Sequence, residues 1–339
     1  MAGILKLNSD LLAEAENHNL DHIIPGLSKG EYGFIIGSPG TGKGYFCLSL
    51  AYELTSSVNV VGLKSHPNPI KVLYWPVEEK RLRVLKRIKK HMRSFSSEVR
   101  DSIFEHLSLY DNYEPICAPM MMYGTAAYEM VVQSKNQLIE AAKDVDLLII
   151  DTVREAVGAC KEVDNDLEIK LALQEIAEKS DTAILVTHHP TKDITKRKEL
   201  ITSVAGSGLS LTQATSRYAL YLEEKGSEYT NLTHTKHNNV EQAYVQRNTK
   251  LHWTTDSLVH NPEMYLTEIV TKTFINDEDL KLIDAELENP IKPSSINLSK
   301  MKIPVSELKR TKQLKDELSM ISDDEKAKYK EFLKQQKNK

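Results

Sequence analysis

Seven residues restrict this chain more than any other feature. Gly37-Ser-Pro-Gly-Thr-Gly-Lys43 directly follows the apolar run Glu31-Tyr-Gly-Phe-Ile-Ile-Gly37, and from Lys43 to Leu54 apolar residues recur at helical spacing. A GxxxxGK stretch between a strand and a helix is a phosphate-binding loop. Its glycines let the backbone wrap an anion, and the amide groups and helix N-terminus supply positive potential. Gly37, Ser38, Pro39, Gly40, Thr41, Gly42, Lys43, Gly44 and Tyr45 are therefore the expected contacts of ATP. Lys43 is expected to face solvent in the empty loop and to reach the terminal phosphates of the nucleotide. The next position departs from the pattern: Gly44 stands where a Ser or Thr hydroxyl normally ligates Mg²⁺. Magnesium is then expected to take a water in that place, with slow or absent hydrolysis.

The rest of the chain alternates strand-like and helix-like runs. Val72 to Val77, Leu107 to Tyr110, Asp146 to Asp151 and Thr182 to Thr187 are short and apolar. Between them lie a basic helix from Lys80 to Arg93, with Leu82, Leu85, Ile88 and Met92 as its apolar stripe, and helices from Ala127 to Lys143 and near Leu167 to Lys179. Asp111 to Thr125 breaks the pattern with Pro115, Pro119 and Met120-Met121-Met122, read as core or loop packing. After His189 come a basic segment, a Gly/Ser stretch and a helix ending at Arg217. Tyr218 to Leu222, Tyr229 to Thr235 and Ala243 to Gln246 follow as shorter antiparallel strands. Such alternation predicts an α/β fold: a mostly parallel twisted sheet with helices on both faces and short antiparallel strands at its C-terminal edge. Beyond about Asp277 the chain becomes lysine-rich, with Pro290, Pro293 and Pro304. Residues 1–255 are thus expected to form the core, and residues 256–339 a charged linker and helical extension.

A net charge of −4 gives no whole-molecule positive field, so any nucleic-acid contact must rest on a local patch. Cys47, Cys117 and Cys160 lack metal-ligand spacing and read as buried or incidental thiols of a reducing compartment. The MAGILKLNSD start carries no leader pattern, and no stretch approaches the ~20 apolar residues of a membrane span. A cytoplasmic protein without a membrane partner is the expectation.

Three further positions carry chemistry. Asp151 ends an apolar strand where open α/β sheets bind ligands, and is the expected Mg²⁺-positioning carboxylate, acting through water. Glu78 and Glu79 follow the strand ending at Val77; either could orient an attacking water, and either could simply begin the next helix. His188 and His189 point to opposite faces of a strand, which disfavours a shared metal and leaves His189 as the expected γ-phosphate sensor.

The order of these pieces resembles one family. Leu20-Asp-His-Ile-Ile-Pro-Gly26, GSPGTGKG, YWPVEE, LLIIDTVRE, LVTHHPTK, GLSLTQATSRYALYL and HTKHNNV, between about Leu20 and Trp253, resemble the plasmid RepA replicative helicases, RecA-type hexameric ATPases related to the DnaB helicases. The resemblance implies a RecA-like core, ATP and Mg²⁺ as cofactors, a homohexameric ring and single-stranded DNA as partner. It implies Lys43 as the phosphate-loop lysine, Glu78 as catalytic glutamate, Asp151 as Walker B aspartate and His189 as sensor. It also implies Arg217 as an arginine finger and Lys236 as a lysine reaching a neighbour's nucleotide. Loops at about Val153 to Asp166 and Thr191 to Ala205 would face the channel. The second holds Lys192, Lys196, Arg197 and Lys198, the expected DNA contacts. The extension could bind a primase or an initiator. A nucleotide-dependent scaffold or regulator with weak ATPase activity, and a recombinase-like filament former, are the competing expectations.

Overall fold

The computed structural model describes residues 8–9, 22–63, 68–190, 209–226, 228–254 and 257–260. A small antiparallel pair, β1 (His22–Ile24) and β2 (Leu27–Ser28), precedes the main sheet. That sheet comprises β3 (Tyr32–Gly37), β4 (Val72–Trp75), β5 (Leu107–Leu109), β6 (Leu147–Ile150), β7 (Ala183–His188), β8 (Tyr218–Lys225), β9 (Tyr229–His237), β10 (Thr249–Trp253) and β11 (Leu258–Val259). Its order is β11-β10-β9-β8-β3-β7-β6-β4-β5. From β8 to β5 every pairing is parallel, and from β8 to β11 every pairing is antiparallel. The mixed α/β architecture is the one expected, with its antiparallel strands at the C-terminal edge.

Strand periodicity divides the core into two layers. Ile35, Val72, Tyr74, Leu147, Ile149 and Leu185 pack on one face with helices α1 (Lys43–Ser56), α2 (Arg81–His91) and α3 (Ser97–His106). Phe34, Ile36, Leu73, Trp75, Leu148 and Ile150 pack on the other with α4 (Ala126–Ala142) and α6 (Asp166–Ser180), and the short α5 (Val153–Ala156) lies between those helices in sequence. Residues adjacent in sequence thus serve opposite layers, as period-two side chains must. No helix among the described residues is long and apolar enough to cross a membrane.

Several elements differ from expectation. β4 stops at Trp75 because Pro76 has no amide hydrogen to continue the ladder. The expected stripe of the basic helix is wrong at Leu82 and Leu85, which are exposed, whereas Val84, His91 and Met92 are buried. Helix α3 has no counterpart among the expected elements, although Ser96 caps it by accepting from the amide of Val99 at 3.2 Å. The methionine run forms a 3₁₀ turn with Met120 and Met121 exposed, not a packed segment. The strand expected at Ala243 to Gln246 is a 3₁₀ turn at Gln242–Tyr244, and the strand lies later, at β10, where Leu251 is buried and its neighbours are not. The helix before β8, α7 (Ser210–Thr215), ends short of Arg217, because the Ser216 hydroxyl donates to the carbonyls of Tyr32 and Tyr218 and turns the chain into the strand. The extension expected at 256–339 falls, but for residues 257–260, outside the described residues.

One charged group lies deep in the core. Glu53 of α1 is 2% exposed and accepts four backbone amide bonds, from Val60, Val61, Gly62 and Leu63, at 2.6–3.0 Å. Burial raises its pKa, and the four amides oppose that shift. Glu53→Ala would leave four buried donors unpaired, so urea unfolding should show a loss of about 3 kcal/mol. A loss below about 1 kcal/mol would mean that water replaces the carboxylate there.

Candidate nucleotide site

The loop between β3 and α1 is closed on itself. The amide and hydroxyl of Thr41 both donate to the carbonyl of Ser38, at 3.2 and 2.9 Å. Gly42 has φ 86° and a Cβ there would stand 2.4 Å from the Trp253 ring, so both conformation and space require glycine. Lys43 does not face solvent as expected: it is 7% exposed and folds back onto the carbonyls of Gly37 (2.7 Å) and Ser38 (3.2 Å) and Nδ1 of His189 (3.2 Å). An ammonium only donates, so Nδ1 accepts and the ring proton sits on Nε2. Burial, then the adjacent Lys43 charge, lower the His189 pKa and favour the neutral imidazole.

A second group of side chains closes the other side of the loop. Asp151, just past β6, accepts the Thr187 hydroxyl on Oδ1 at 2.6 Å and the Tyr74 hydroxyl on Oδ2 at 2.9 Å. Both oxygens keep lone pairs for the waters of a cation. No group of three His, Cys, Asp or Glu side chains among the described residues could hold a metal by itself. A lone carboxylate beside a phosphate loop fits Mg²⁺, which takes one or two carboxylates together with phosphate oxygens and water.

The choice between Glu78 and Glu79 has a geometric side. Glu79 is paired with Arg87 at 2.7 Å, and Arg87 lies 4.5 Å from the centre of the Tyr45 ring. The Glu78 amide donates to the Asp151 carbonyl at 3.2 Å, which holds this residue beside the loop. Burial, then Asp151 and Glu155, raise the pKa of its carboxyl. Lys43, Asp151, Glu78 and His189 therefore stand together at the C-terminal edge of β3, β4, β6 and β7.

Arg217 and Lys236 are not brought to this edge. Tyr218 pairs with Gly33 and Leu222 with Gly37, so Arg217 lies about 17 Å of strand away from the phosphate loop. Lys236 pairs with Ala219, and its ammonium donates to the carbonyls of Gln213, Ala214 and Ser216. His188 faces away from the loop, taking the Gln213 amide at 3.3 Å, with Glu162 at 3.2 Å from its other nitrogen. Lys192, Lys196, Arg197 and Lys198 lie outside the described residues. Cys117 and Cys160 are buried with their sulfurs 3.3 Å apart, and Cys47 is buried separately. Sequence reasoning misses Tyr74, Arg87, Thr187 and Trp253. Tyr74 and Thr187 are hidden inside apolar strands; Arg87 reads as one of many helix cations.

The family model described as an AAA domain matches residues 4–194, more than half of the chain. No curated protein matches. Among solved structures the chain is similar to the ATPase domain of G40P, with TM-score 0.48 and 14% identity over 74% of this chain and 95% of that one. It is also similar to a DnaB-like replicative helicase studied with primase, with TM-score 0.48 and 13% identity over 76% and 67%.

Proposed function

The chain belongs to the AAA domain family, and from that premise we propose that it is an ATP-dependent replicative DNA helicase of the plasmid RepA kind. It assembles as a ring, a homohexamer, and couples ATP hydrolysis to movement along single-stranded DNA in plasmid or phage replication. The single observation that carries this reading is the convergence of Lys43, Asp151, Glu78 and His189 on one sheet edge around the phosphate loop.

Each residue then has a defined task. Lys43 leaves the carbonyls of Gly37 and Ser38 for the terminal phosphates, which offer it charge-assisted acceptors. That movement releases His189 Nδ1, which senses whether phosphate is present. Asp151, oriented by two hydroxyls, would hold Mg²⁺ through water. A bound Mg²⁺ would neutralise charge on the phosphate oxygens. Glu78, raised in pKa, orients the attacking water and accepts its proton, while Glu79 is neutralised by Arg87. Arg217 and Lys236 serve a neighbouring subunit's nucleotide, because their places at the far ends of β8 and β9 remove them from their own. Lys192, Lys196, Arg197 and Lys198 contact DNA, and residues 256–339 form an extension that binds a primase or initiator.

The test is phosphate release with and without single-stranded DNA. DNA should stimulate turnover, and Glu78→Gln should lower it ~10²-fold at unchanged fold. The second reading, a nucleotide-dependent scaffold, is favoured by Gly44. ATP binding without DNA-stimulated release would establish it over the helicase.

A further inference from the structure

The phosphate loop lacks a hydroxyl at position 44, yet the corner that hydroxyl would fill is occupied. A Cβ on Gly44 would stand 3.0 Å from Asp151 Oδ2, 3.4 Å from Arg87 Nη1 and 3.9 Å from Tyr74 Oη. The carboxylate has taken the space beside the glycine, and a serine there would press against it. Tyr74 is fully buried in β4, and the only polar atom of its side chain ends in this corner, donating to Asp151 Oδ2 at 2.9 Å. While its O–H donates to Asp151, its oxygen still has lone pairs to accept with. Arg87 brings a permanent cation to the same corner and is itself held, by Glu79 at 2.7 Å and by the Tyr45 ring at 4.5 Å.

We propose that Tyr74 supplies from strand β4 the hydroxyl that position 44 lacks, orienting Asp151 and the cation's water as a loop serine or threonine otherwise would, with Gly44 kept small to admit the carboxylate. Tyr74 is a positioning residue in this role. The loop glycine and the buried tyrosine are one device: the first clears the space that the second fills from behind. The inference rests on the nucleotide-site reading above, and it reverses one sequence expectation. Magnesium binding is not left to water alone, and restoring serine at position 44 gains nothing while Tyr74 is present.

The experiment reads metal and nucleotide binding rather than turnover. Mn²⁺ is titrated into the full chain with a non-hydrolysable ATP analogue and free Mn²⁺ is followed by electron paramagnetic resonance; binding of a fluorescent ATP analogue in EDTA is measured in parallel. Tyr74→Phe keeps the ring and its packing and should weaken Mn²⁺ binding about 10-fold, the usual scale for losing a group that orients a metal's carboxylate. Nucleotide affinity in EDTA should stay unchanged. Gly44→Ser alone should leave Mn²⁺ affinity equal or lower, whereas adding Gly44→Ser to Tyr74→Phe should recover most of the loss, because the carboxylate is then free to move off the serine.

Equal Mn²⁺ affinity in wild type and in Tyr74→Phe of wild-type circular dichroism overturns the proposal. So does a gain in Mn²⁺ affinity from Gly44→Ser alone, a result that does not depend on Tyr74→Phe folding. Failure of the wild-type chain to bind the ATP analogue at all overturns the nucleotide-site reading with it, which separates the two failures.

Discussion

Lys43→Ala should lower ATP turnover by ~10³-fold or more, the scale for removing a preorganised charge from a phosphoryl-transfer site. The substitution removes the ammonium that the phosphates would recruit and also its resting contacts with Gly37, Ser38 and His189. Those contacts are with the carbonyls of one loop, Gly37 buried and Ser38 half-buried, and a half-buried ring, and the loop's own Thr41–Ser38 bonds remain, so the fold should survive. Loss of the neighbouring charge should also let the His189 pKa rise, since that charge is one of the causes holding it down. Phosphate release, read together with the His189 titration by nuclear magnetic resonance, checks both effects. Turnover within a few-fold of wild type would remove the central claim about this loop.

Much of that site is legible in the order of residues alone. β3, β6 and β7 are continuous apolar runs because both their faces are buried, and the glycine spacing of the loop admits few other meanings. Asp151, Glu78 and His189 follow as residues at strand ends. What is not legible depends on register between distant strands: nothing local announces that the Tyr74 hydroxyl ends on Asp151 or that Trp253 covers Gly42. The errors have physical causes too. Leu82 and Leu85 fit a helical stripe but lie beside the one that α2 buries through Val84 and His91, so hydrophobicity alone selects the wrong face. Methionines Met120 and Met121 resemble packing residues because their chemistry is apolar, yet the prolines around them hold a surface turn.

The second large effect concerns two subunits at once. Arg217→Ala should be nearly inactive alone, since an arginine finger contributes on the order of 10³-fold or more. Its phosphate loop is intact, whereas a Lys43→Ala subunit has the opposite defect. Mixed in equal amounts and exchanged into common assemblies, the two should regain a measurable part of wild-type turnover, because some interfaces pair an intact loop with an intact finger. Residues acting on their own subunit's nucleotide cannot complement in this way. Mixed assemblies verified by mass measurement, yet no more active than the average of the two mutants, would sink the assignment. A titration of wild type with either mutant identifies all-or-none coupling, in which activity falls much faster than the wild-type fraction. Lys236 is expected to behave differently: its ammonium holds the carbonyls of the turn that carries Arg217. Lys236→Ala should therefore loosen Arg217 as well as remove a charge, and complement Lys43→Ala less well than Arg217→Ala does with the same partner.

The place of β3 in the sheet also bears on how the molecule is made. Its two neighbours, β7 and β8, follow it by about 150 and about 185 residues, so the strand that presents the phosphate loop is flanked only by late-arriving chain. At ribosomal rates of ~5–20 residues per second, β3 and the almost wholly buried helix α1 wait roughly 10–40 s before β8 emerges to complete their setting. Until β7 emerges both edges of this apolar strand stay unpaired, although α1 can pack on α3 well before then, which makes the nascent chain a natural client for a chaperone. The ability to bind nucleotide then arrives as one of the last events of folding.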